Sequence, residues 1–179
     1  SLDYNKNPKG ISVWDFDDTL ATTKSNVLYT LPGQTQVFHG GEIKSPKDIR
    51  GFVYFSEDKN QADAYSEGNQ GETRSFAIDE SAIGTEDQVR DVIEELGIEP
   101  KNTDWKADES SLYELIDDRF EQAFSKKDMV RLADALGKRK LKAARFEDTN
   151  ISTGKNQGRY TENIVVFDKG AVSELNKIN

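Results

Sequence analysis

What most limits the folds open to this chain is the rhythm of its apolar segments. Short runs rich in β-branched and aromatic residues lie at 11–15, 27–31, 35–39, 52–55, 74–79, 142–147 and 163–168, and each reads as a strand. After Asp18 short strands come in quick succession, and the pattern switches between strand and helix several times without the regular βαβ rhythm. A parallel α/β sheet needs a helical crossover between successive strands. The expected class is therefore α+β.

The clearest helix spans 85–96. Thr85 and Gln88 form a capping-box pair, Val89, Val92, Ile93 and Leu96 make one apolar face, and Gly97 suits the position just past the end. A second helix begins at Ser125, carries Met129, Leu132, Ala133 and Leu136, and stops at Gly137. Shorter helices are expected at 57–66, capped by Ser56, and at 110–117. Polar stretches at 67–73 and 149–161 read as loops, the kind of segment that often faces substrate.

A chain of 179 residues suits one domain with its own core. Its 24 Lys and Arg against 33 Asp and Glu give a net charge of −9, so the surface repels nucleic-acid phosphates and favours a basic protein partner instead. The absence of cysteine excludes a thiol nucleophile, a disulfide framework and a cysteine-based zinc site. No apolar run approaches the roughly 20 residues that span a bilayer. No apolar signal core opens the chain. A soluble protein is expected.

Near the N-terminus, Val13-Trp14-Asp15-Phe16-Asp17-Asp18-Thr19-Leu20 sets two carboxylates, Asp15 and Asp17, at i and i+2 where a strand ends. Such a pair points one way, attracts a hard cation such as magnesium, and can divide nucleophilic attack from proton transfer. The D-x-D-x-T pattern resembles the opening motif of the haloacid dehalogenase-like hydrolases. That resemblance implies Asp15 as nucleophile, Asp17 as general acid/base, and both as magnesium ligands. The rest of such a site is present only in fragments: Glu147-Asp148 as a late acidic pair, with Lys142 or Ser75 in the remaining roles. The plainer alternative is a buried strand and a turn whose carboxylates bond local backbone N–H groups. Residues 1–30 are read as an N-terminal segment joined to a domain over 31–179.

Downstream, the only histidine, His39, ends a strand and precedes Gly40-Gly41. Tyr54-Phe55 lie in a later strand with Ser56 directly behind, and Tyr65 falls in the helix that follows. Towards the other end, Glu162-Asn163-Ile164-Val165-Val166 places Glu162 at the mouth of an apolar strand. In order and spacing, these pieces resemble the H-Y-E class of ADP-ribosyltransferases, which has diphtheria-toxin-like and poly(ADP-ribose) polymerase-like members. The resemblance covers roughly residues 35–175. More loosely, the chain is similar to transferase-like domains embedded in bacteriophage polyvalent proteins, which implies a place in the virion or the host cytoplasm.

The resemblance implies a split mixed β-sheet with short flanking helices, and an activity. NAD is cleaved between nicotinamide and ribose, and ADP-ribose passes to a protein acceptor or to water. Positive charge develops on the ribose as nicotinamide leaves, so a carboxylate beside it stabilises the transition state more than the ground state. Glu162 takes that role. Tyr54 and Tyr65 would hold the nicotinamide ring, Gly40 and Ser56 would meet its amide, and His39 would position the adenosine-side ribose. No metal is called for. Tyr160, two residues before Glu162, departs from the Gln or Glu of the arginine-modifying class, so arginine is not the expected acceptor. Loop 149–161 is the candidate acceptor contact. Two other readings stay open: a magnesium-dependent phosphohydrolase using Asp15 and Asp17, and a catalytically silent binding or structural module.

Overall fold

The computed structural model describes residues 12–13, 27–69, 71–148 and 161–177. Its strands are β1 (Ser12–Val13), β2 (Leu28–Thr30), β3 (Gln34–Gly41), β4 (Val53–Ser56), β5 (Glu72–Asp79), β6 (Ile83–Gly84), β7 (Ala143–Asp148), β8 (Thr161–Val166), β9 (Val172–Ser173) and β10 (Asn176–Lys177). The helices are α1 (Lys59–Asn69), α2 (Glu86–Leu96), α3 (Leu112–Ile116) and α4 (Lys126–Lys138). The class is α+β. Among the described residues, no helix is long and apolar enough to cross a membrane.

Seven strands form one sheet in the order β6-β7-β8-β4-β3-β5-β9, and β1-β2-β10 form a smaller one. The smaller sheet ties Ser12 and Val13, through β2, to Asn176 and Lys177. Within the large sheet only β6 and β7 run parallel. β3 pairs with β5 along its whole length, from Gln34 opposite Asp79 to Gly41 opposite Glu72. Against β4 it pairs only at Phe38 opposite Ser56. The ladder therefore lapses in mid-sheet, and strand separation there leaves room that side chains must fill or line.

Two apolar clusters occupy the two faces, as the strand period of two requires. Along β8, Val165 joins one cluster while Ile164 and Val166 join the other. The first is completed by Val89, Val92 and Ile93 of α2, Leu112, Leu115 and Ile116 of α3, and Leu132 and Leu136 of α4. The second is closed from short 3-10 turns between the strands, by Ala82 and Ala171 within two of them and Ile49 at the end of a third.

The caps on α2 are those the sequence predicts: Thr85 and Gln88 bond reciprocally, and Gly97 adopts a left-handed φ of 61°. Several boundaries differ from expectation: α1 runs on to Asn69 and β5 begins at Glu72, so most of the stretch 67–73 is regular structure and not a loop, and α3 covers only Leu112–Ile116 of 110–117. α1 starts later than 57–66 would have it, because Asp58 caps the helix: its carbonyl oxygen accepts from Ala62 N and its carboxylate from Asn60 N. α4 runs through Gly137 to Lys138, and the left-handed residue is Lys140, φ 62°. Gly137 is thus helical, not a stop signal.

Candidate functional site

A cavity of about 190 Å³ lies beside the lapse between β3 and β4. Strand β3 contributes Phe38, His39 and Gly40, β4 contributes Tyr54, Phe55 and Ser56, and α1 contributes Ala62 and Tyr65. Asn163 of β8 and, from the α3 region, Tyr113 and Arg119 complete the wall.

His39 bridges the parted strands. Its Nδ1 lies 2.7 Å from the carbonyl oxygen of Tyr54, and its ring centroid lies 5.4 Å from that of Phe55. A carbonyl only accepts, so Nδ1 carries the proton and Nε2 presents a lone pair. Burial lowers the histidine pKa, against the opposing pull of the Tyr54 bond, and the ring is neutral at physiological pH. Gly41 makes space for it: a Cβ there would lie 2.9 Å from Nε2.

At Gly40 an added Cβ would lie 1.9 Å from the Ala62 carbonyl oxygen. The space vacated by the missing side chain is therefore filled by the α1 backbone, so this glycine sets the approach of the helix that carries Tyr65. Ser56 is also engaged. Its hydroxyl donates to Gln61 Oε1 at 3.0 Å and accepts from Asp58 N at 3.0 Å, which leaves one lone pair for a ligand.

Tyr54 packs edge-on against Tyr113 and Phe146, with centroids 5.4 and 5.9 Å away. Its hydroxyl is buried and has no hydrogen-bond partner. Burial raises its pKa, and the nearby Asp117 carboxylate and Tyr113 add to the rise. Tyr113 is pushed up to about 12, mainly by burial and then by Asp117. Arg119 holds this corner: it donates from Nε and NH2 to Asp117, the shortest contact being 2.6 Å, and from NH2 to the Tyr113 hydroxyl at 2.7 Å. Burial alone would raise the Asp117 carboxyl; the Arg119 bonds and charge outweigh it and leave the carboxyl below its usual range. Tyr65, 42% exposed, stands at the open side.

The five binding residues singled out in the sequence, His39, Gly40, Tyr54, Ser56 and Tyr65, thus line one cavity. Glu162 does not line it. It is exposed and lies opposite Glu147, also exposed, whereas buried Asn163 is the β8 residue in the wall. Sequence reasoning missed Asn163, although the alternation Asn163, Val165 set against Ile164, Val166 carried the signal. It also missed Tyr113 and Arg119, for which no local pattern exists. Asp15 and Asp17, with most of loop 149–161, lie outside the described residues. Among those described, no cluster of three or more His, Asp or Glu could hold a metal ion.

No family model matches this chain, and no curated protein or solved structure does either.

Proposed function

We propose that the chain is an NAD-dependent ADP-ribosyltransferase of the H-Y-E type. It binds NAD at the cavity between β3, β4 and α1 and passes ADP-ribose to a protein acceptor or to water. The observation that best supports this is convergence: residues picked out by the resemblance, from His39 to Tyr65, meet at one cavity. The opening between β3 and β4 supports the split mixed sheet of that class.

Size and chemistry agree with the reading. At about 190 Å³ the cavity is smaller than the roughly 300–1,000 Å³ that encloses a whole drug-sized ligand, so it suits one planar ring with the rest of the molecule outside. Tyr54, Tyr65 and Tyr113 supply aromatic surface, the Tyr54 hydroxyl supplies an unused donor, and His39 Nε2 supplies an acceptor for a ribose hydroxyl. Glu162 acts from the end of β8 on the ribose emerging from the cavity. The same resemblance suggests a phage polyvalent protein, in the virion or host cytoplasm.

A second reading, a catalytically silent NAD-binding module, is favoured by one observation: the β8 residue in the wall is Asn163, not a carboxylate. Nicotinamide release from NAD by wild type and Glu162→Gln, with and without a lysate as acceptor, separates the two. Release that vanishes in Glu162→Gln supports the transferase. NAD binding without release by either protein supports the silent module, and absence of NAD binding removes both readings.

A further inference from the structure

We infer that Asn163, and not its neighbour Glu162, is the β8 side chain that meets the ring held inside the cavity, Glu162 being left to the ribose outside it. The inference rests on the NAD-binding part of the reading above and holds whether or not the chain turns NAD over. Asn163 is 4% exposed and lines the cavity; Glu162 is exposed and does not. Register separates them further. Asn163 lies opposite Ser56 on β4 and Phe146 on β7, and Ser56 lines the same cavity. Cross-strand partners share a face and successive residues alternate, so the Glu162 side chain starts from the other side of the sheet.

The chemistry of the residue has a consequence for the ligand. A carboxamide offers donors and an acceptor without charge, and it can meet the hydroxyl or amide groups of a ligand without a compensating cation. The nicotinamide ring of NAD carries a positive charge that NADH lacks. Asn163 gives that charge no carboxylate inside the cavity, so wild type discriminates only weakly between the oxidised and reduced forms.

Asn163→Asp keeps the shape of the side chain and adds one negative charge. Calorimetric titration of NAD and of NADH into wild type, Asn163→Asp and Glu162→Gln tests the inference. The ratio of NAD to NADH affinity rises about tenfold in Asn163→Asp and changes less than about twofold in Glu162→Gln, because an opposite charge acts strongly only at contact range. An unchanged ratio in Asn163→Asp, or a shift confined to Glu162→Gln, overturns the inference while leaving NAD binding intact. Failure of wild type to bind either form overturns the NAD reading and the inference together. Should Asn163→Asp not fold, Asn163→Ala weakens NAD binding about tenfold, and unchanged affinity in that variant is equally fatal.

Discussion

The imidazole of His39 donates from Nδ1 to the carbonyl oxygen of Tyr54 across 2.7 Å, at the place where β3 and β4 stop pairing. One side chain thereby substitutes for missing ladder bonds and holds a neutral ring at the cavity wall.

Acid should act through that ring. Burial holds the folded-state pKa of His39 below the ordinary value of 6.5, so the unfolded chain binds the proton more readily. The histidine's contribution to stability is then complete above 6.5 and declines as pH falls through the lowered folded-state value. Wild type should lose more melting temperature than His39→Gln between about pH 7.5 and about pH 5.5, a range in which ordinary carboxylates stay ionised in both proteins. Calorimetric melting of the pair provides the comparison; parallel curves would count against a buried neutral imidazole.

Tyr54→Phe should separate stability from binding. The free protein gains up to about 1 kcal/mol by losing a buried hydroxyl that has no partner. NAD affinity falls about tenfold if the ligand is what satisfies that hydroxyl. Urea denaturation and NAD titration of the same preparation read the two effects, and a variant that is less stable yet binds normally would contradict both.

Two glycines should respond oppositely to alanine. Gly40→Ala drives a Cβ into the α1 backbone at Ala62 and costs about 1–3 kcal/mol. Gly137→Ala meets nothing within 4 Å in the last turn of α4 and gains up to about 0.5–1 kcal/mol. Chemical denaturation of both variants beside wild type measures the contrast.

Arg145 of β7 joins Glu57 at 3.0 Å and Glu80 at 2.6 Å, linking segments far apart in the chain. Arg145→Gln should cost about 1 kcal/mol, with the difference shrinking at high salt because the pairs are partly exposed. Denaturation at low and high ionic strength checks it. A cost that did not depend on salt would point to packing of the side-chain stem as the larger contribution.

The sequence by itself determined what depends on near neighbours. Runs rich in β-branched and aromatic residues marked the longer strands, and the Thr85–Gln88 box with Gly97 marked α2 at both ends, because local backbone preference and capping set these patterns residue by residue. Resemblance to the H-Y-E class picked out His39, Tyr54, Ser56 and Tyr65. Tertiary structure alone decided which surface those residues share. It brought Tyr113 and Arg119 to them from a segment about 50 residues further on, which only long-range packing can do. It assigned Gly40 to the approach of α1, a demand made by a neighbouring helix and invisible in a dipeptide of glycines. At the mouth of β8 it separated Glu162 from Asn163: a one-residue change in register exchanges the faces of a strand, and the pairing partners Ser56, Phe146 and Glu147 set that register.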